Sequence, residues 1–121
     1  MKHIFTLENI SAYTISRELT NNIYILVNSW KWLDKQTLGL QMIRSVDSIA
    51  ANIAEGFGRY HKADKIKFYY NARGSTLESL HWLAVAKDRK LLTTQLFVQL
   101  NQRFQMLPKE INTLIRLQQI I

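Results

Sequence analysis

Four times along the chain, side chains recur at spacings of three and four, which puts them on one face of an α-helix. The fourth run is the cleanest: Phe97, Leu100, Phe104, Leu107, Ile111, Leu114, Gln118 and Ile121 hold the repeat to the last residue. A helix with such a stripe must bury it against other helices. One proline and four glycines in 121 residues leave few places where a helix would break.

The first run is Ser16, Leu19, Ile23, Leu26, Trp30 and Leu33, in a helix over about residues 10–33. Residues 1–8 read as an extended lead-in. Residues 34–37 form the connection, where Asp34 or Thr37 caps the next helix by accepting a bond from a free backbone N–H. The second helix covers about 38–57, with Ile43, Val46, Ala50, Ile53 and Phe57 on its seam. Opposite lies a polar stripe of Ser45, Ser48, Asn52, Glu55 and Arg59. Ala50, Ala54 and Gly74 are expected to allow close helix contact. Gly56 and Gly58 suit a helix C-terminus, where a left-handed residue is common.

The third helix covers about 63–91, with a seam of Ile66, Tyr70, Arg73, Leu77, Leu80, Ala84, Lys87 and Leu91. Arg73 is wrong for a dry core. It either lies at a solvated edge or pairs with Glu55 or Glu78, because an unpaired buried charge is strongly destabilising. The fourth helix covers about 94–120, is capped by Thr93 or Thr94, and continues through Pro108 with a kink. Short links between long helices predict an all-α fold, an antiparallel up-down-up-down four-helix bundle, as one domain over residues 1–121.

Chemistry is sparse. The chain has no cysteine, so disulfides and thiolate metal sites are excluded. His3, His61 and His81 are scattered. Glu78 and His81 form one Glu-x-x-His pair, but a bundle di-metal site needs a second pair and two more glutamates. Ser75, Glu78 and His81 share one helix face without an oxyanion hole, so they read as polar packing. Gly56-Phe57-Gly58 lacks the lysine and the strand of a phosphate loop. No catalytic residue, metal or cofactor is expected. No run approaches the length needed to span a bilayer, and the first residues lack the apolar core of a signal peptide, so a cytoplasmic location without membrane partners is expected.

Charge is the strongest functional signal. The net charge is +7, which favours polyanionic partners. One cluster, Arg59, Lys62, Lys65 and Lys67, surrounds the link between the second and third helices, with Tyr60 and His61 inside it. A second, Lys87, Arg89 and Lys90, sits at the far end of the third helix. At 1.5 Å per residue the two are roughly 35–40 Å apart, at opposite ends of the bundle. Lys31 and Lys35 belong with the second cluster, and Arg116 lies towards the first. These residues read as sites for RNA or single-stranded DNA, with weak sequence preference. The competing reading is a solvated helix end, where cations suit the helix dipole. Tyr24, Trp32, Tyr69 and Trp82 fall beside the seams, and a bundle of this length has little room for all of them. That points to self-association.

One stretch is more specific. Ser48-Ile49-Ala50-Ala51-Asn52-Ile53-Ala54-Glu55-Gly56-Phe57-Gly58-Arg59 resembles the signature of the four-helix-bundle proteins encoded in intervening sequences of bacterial 23S rRNA genes. Ala72-Arg73-Gly74-Ser75, followed by Glu78, is similar to a second element of that family. Gly39-Leu40 with Gln41 and Arg44 fits the lead-in to the first. Ala50 stands where many relatives have proline, and Asn71 where an apolar residue is usual. The resemblance implies a left-handed bundle that assembles as a homopentamer. It also implies distant kinship with the accessory proteins of diversity-generating retroelements, which bind nucleic acid and a reverse transcriptase. The expectation is therefore a non-enzymatic nucleic-acid-binding ring with basic rims. The alternative is a scaffold that docks a reverse transcriptase or a ribosomal component.

Overall fold

The computed structural model describes residues 6–121. Most of the expected lead-in, with His3, lies outside them. A 3₁₀ turn, Leu7–Asn9, precedes four long helices: α1 (Ser11–Asn28), α2 (Leu40–Gly58), α3 (Lys62–Asp88) and α4 (Thr94–Ile120). Each packs antiparallel to the next, and α4 closes on α1. There is no strand among the described residues. The fold is an all-α, up-down-up-down four-helix bundle. Leu19, Ile23, Met42, Val46, Ile49, Ile53, Leu83, Phe104, Leu107 and Ile111 are sealed from solvent at its centre.

The first link lies earlier than its sequence suggests. α1 ends at Asn28 rather than near Leu33. The Ser29 hydroxyl donates to the Leu26 carbonyl at 2.6 Å, and Trp30 turns inward. Its indole N–H donates to the Leu91 carbonyl at 2.9 Å, tying the first link to the third. Residues 34–37 are not a loop. A helical turn, Trp32–Asp34, passes through a π-helical turn, Lys35–Gly39, directly into α2. Asp34 and Thr37 therefore cap nothing, and the Thr37 hydroxyl bonds back to the Leu33 carbonyl at 2.7 Å. At Gly39 α1 lies close, since a Cβ there would stand 2.6 Å from Val27 Cγ1.

The buried face of α3 is Tyr69, Ala72, Thr76, Ser79, Leu83 and Ala86. Each lies one position before the expected seam residue. Tyr70 and Leu77 are accordingly exposed, at 43% and 59%. The cause is the polar stripe of α2, which packs inward against α3. The Ser79 hydroxyl donates to Ser45 Oγ at 3.0 Å, and the Ser48 and Ser75 hydroxyls meet at 2.9 Å. Asn52 donates to the Ser48 carbonyl and hydroxyl, at 2.8 and 2.9 Å. Further along, Gly56 lies against the Tyr69 ring, where an added Cβ would come within 2.8 Å. Small side chains let the two helices approach, and mutual hydrogen bonds satisfy the hydroxyls this buries.

The shift also resolves Arg73. It lies beside the buried face, donates to Asn112 Oδ1 of α4 at 2.7 Å and stacks 4.7 Å above the Tyr70 ring. Neither expected carboxylate is its partner: Glu55 pairs with Arg59, and Glu78 accepts from the Trp82 indole. Gly74 is exposed with nothing near its missing side chain. Ala50 and Ala54 line an open groove between α1 and α2. Of the glycines, Gly39 and Gly56 are the ones held in close contact.

No glycine is left-handed; Lys90 is, at φ 57°. It follows α3 in a Schellman arrangement, with Leu91 N–H donating to Ala86 O and Lys90 N–H to Lys87 O, both at 3.0 Å. α4 begins at a Thr93 cap, whose hydroxyl accepts from Leu96 N–H at 3.1 Å, and runs through Pro108 unbroken. In its last buried turn Ile115 is sealed most fully, with Leu114 half-buried against the core beside it.

Candidate functional site

The α2–α3 turn carries the first basic cluster. α2 stops at Gly58, Arg59 is extended, and α3 starts after His61. Lys65 reaches back over this turn. Its ammonium donates to the Phe57 carbonyl at 2.7 Å and the Gly56 carbonyl at 3.4 Å. Those are final carbonyls of α2, where a cation is favoured by the helix dipole. Arg59 pairs with Glu55 at 3.3 Å and lies 4.7 Å from the Phe68 ring centre. Lys62 and Lys67 are exposed and make no ion pair among the described residues. Five positions apart, they sit about 140° apart around the helix. Tyr60 stands at the tip, 90% exposed, edge-on to His61. The structure thus divides the cluster: Arg59 and Lys65 brace the turn, and Lys62, Lys67 and Tyr60 face solvent.

The second cluster divides as well. Lys87 lies 4.7 Å from the Phe97 ring centre and links α3 to α4. Lys90 is the left-handed residue. Arg89 lines the groove between α3 and α2, as does Arg44. Arg44 is a cation that cluster-based sequence reading missed. The signal was present in the antiparallel pairing of α2 with α3, but Arg44 and Arg89 lie 45 positions apart and form no cluster along the sequence.

Most of the positive charge is unneutralised. Among the described residues, Arg59 and Arg103 are the cations that pair with carboxylates, the latter with Glu18 at 2.6 Å. The Ser75, Glu78 and His81 side chains are each occupied: Ser75 with Ser48, Glu78 with Trp82, and His81 edge-on to Trp82 at 4.7 Å. No group of three acidic, histidine or cysteine side chains among the described residues could hold a metal ion. Burial pushes the Asp47 carboxyl above its ordinary value, beside the α1–α2 groove. No helix among the described residues is long and apolar enough to cross a membrane. Of the four aromatics expected to exceed one bundle's capacity, Tyr69 is buried, Trp82 is half-buried, and Tyr24 and Trp32 stay exposed.

No curated protein sequence matches this chain. The fold is similar to the crystal structure, at 1.70 Å resolution, of a protein with unknown function from the S23 ribosomal protein family of Bacteroides thetaiotaomicron VPI-5482. The two are 23% identical with a TM-score of 0.79, over 92% of this chain and 99% of that one. The family model of the 23S rRNA-intervening sequence protein matches residues 8–113, and with its signature helices packed as α2 and α3 the chain belongs to that family.

Proposed function

We propose that the chain is a non-enzymatic, self-associating module that binds RNA or single-stranded DNA with little sequence preference, in the cytoplasm. The observation that carries this reading is the unpaired charge: a net +7 with two carboxylate pairs among the described residues. Lys62 and Lys67, with Tyr60 at the tip, are the primary contacts at one end, and Arg89 and Lys90 are secondary at the other. Arg59 and Lys65 hold the turn in shape and contribute field more than contact. Exposed Tyr24 and Trp32 support self-association, and the homopentamer implied by the family resemblance would repeat each basic end as a rim.

Each phosphate contact releases a condensed counterion, so affinity should fall steeply with salt. The test is fluorescence anisotropy of a labelled RNA 20-mer at two salt concentrations, with protein of known solution mass. Lys62→Gln with Lys67→Gln should weaken binding for all sequences alike and flatten the salt slope by up to about two units. Unchanged affinity in a folded, normally assembled variant rejects the rim. A second reading, a scaffold for a protein partner such as a reverse transcriptase or a ribosomal component, draws on the same exposed Tyr24 and Trp32. It gains if wild-type protein binds no RNA at low salt.

A further inference from the structure

We propose that the groove between α2 and α3 is a nucleotide site, taking one aromatic base and its phosphate together. The groove shares Arg89 with the second basic end, but Arg44, Trp82 and the glutamines belong to it alone. The groove has a volume of about 410 Å³ and is lined by Gln36, Leu38, Gln41, Arg44, Trp82 and Arg89 among others. The groove is open to solvent and has room for one nucleotide, since small-ligand sites start at about 300 Å³.

The lining has the chemistry of a nucleotide. Arg44 comes from α2 and Arg89 from the residue after α3, and neither pairs with a carboxylate among the described residues. Two guanidiniums that line one groove both favour an anion there. Their planar forks suit phosphate oxygens. Trp82 is half-buried, and its indole N–H is already committed to Glu78 at 3.1 Å. What it offers the groove is therefore its ring, a stacking surface for a base. The same Glu78 carboxylate sets a direction: the phosphate belongs at the arginines and the base at the indole. Gln36 and Gln41 add carboxamides, each able to donate to and accept from a base edge.

The backbone beside the groove is unusual as well. Gln36 and Leu38 belong to the π-helical turn Lys35–Gly39. Such turns are rare and concentrate at functional sites.

The test is calorimetric titration of the intact protein with adenosine monophosphate, adenosine and ribose 5-phosphate at low salt. The monophosphate should bind at least about tenfold more tightly than either fragment, since phosphate and base each contribute. Arg44→Gln with Arg89→Gln should weaken the monophosphate about tenfold or more. An equal-charge control at exposed positions elsewhere, Arg17→Gln with Lys109→Gln, should change it by less than about twofold. Trp82→Leu should lose the preference for the monophosphate over ribose 5-phosphate without changing charge. If that variant does not fold, the arginine variant decides, because both its side chains are exposed.

Absence of monophosphate binding at millimolar concentration overturns the site. So does an equal loss in the groove and control variants, which would mean a general field. Competition with a single-stranded RNA distinguishes the ligand's source. Displacement of the monophosphate identifies a nucleotide within a strand, and co-binding identifies a free nucleotide. RNA binding without monophosphate binding sinks the groove and leaves the rims standing, and the reverse result does the opposite.

Discussion

Individual residues carry opposite conformational demands that composition does not reveal. Lys90 occupies a left-handed position that a glycine would take at lower cost, while Gly74 sits in a helix with open space at its Cβ. Left-handed backbone costs a residue with a side chain about 1–2 kcal/mol, and glycine in a helix costs about 0.5–1 kcal/mol relative to alanine. Lys90→Gly and Gly74→Ala should therefore each raise stability, by about 0.5–1 kcal/mol. Gly56→Ala should lower it by about 1–3 kcal/mol, because the added methyl meets both the Tyr69 ring and the Lys65 carbonyl, 3.1 Å away. Urea denaturation of the three variants checks the set. A Gly74→Ala variant less stable than wild type would show that another molecule packs on that spot.

At the scale of elements, the four long helices were legible, and so were the buried faces of α1 and α4, but the facing of α3 was not. α4 could be read almost to the residue because its buried positions are large and apolar: Leu100, Phe104, Leu107, Ile111 and Ile115. α3 could not, because its buried face holds Ala72, Thr76, Ser79 and Ala86, while Tyr70 and Leu77 point outward. Hydrophobic periodicity follows large side chains, and close helix pairs are built from small ones. The same blindness hid the groove, since Arg44 and Arg89 are neighbours only once the α2–α3 pairing is known. A pair of substitutions tests this facing. Ser79→Leu adds hydrophobicity but should destabilise by about 1–3 kcal/mol, because it overfills a contact with no room. Leu77→Ser removes hydrophobicity and should stay within about 0.5 kcal/mol of wild type, as exposed positions do. The seam centred on Leu77 requires the reverse order of melting temperatures.

Over the whole molecule, charge and packing act against each other. A net +7 spread over one small bundle is self-repulsive, and the apolar core holds it together. Added monovalent salt screens that repulsion within a Debye length of about 8 Å at physiological strength. Melting temperature should therefore rise as sodium chloride increases from low to moderate concentration, over the same range in which affinity for RNA falls. A melting temperature that falls in parallel with affinity would mean that ion pairs stabilise the bundle, against the two seen among the described residues.

The bond from the Trp30 indole to the Leu91 carbonyl makes the bundle mechanically lopsided. At that end the α1–α2 and α3–α4 links are knotted together, so all four helices share one clasp. At the opposite end a single tight turn joins α2 to α3. The bundle is clasped across two links at Trp30, while at Tyr60 one turn alone closes it. Backbone amides near Trp30 should be the slowest to exchange with deuterium, and those flanking Tyr60 the first. Lys62 and Lys67 flank that singly closed end.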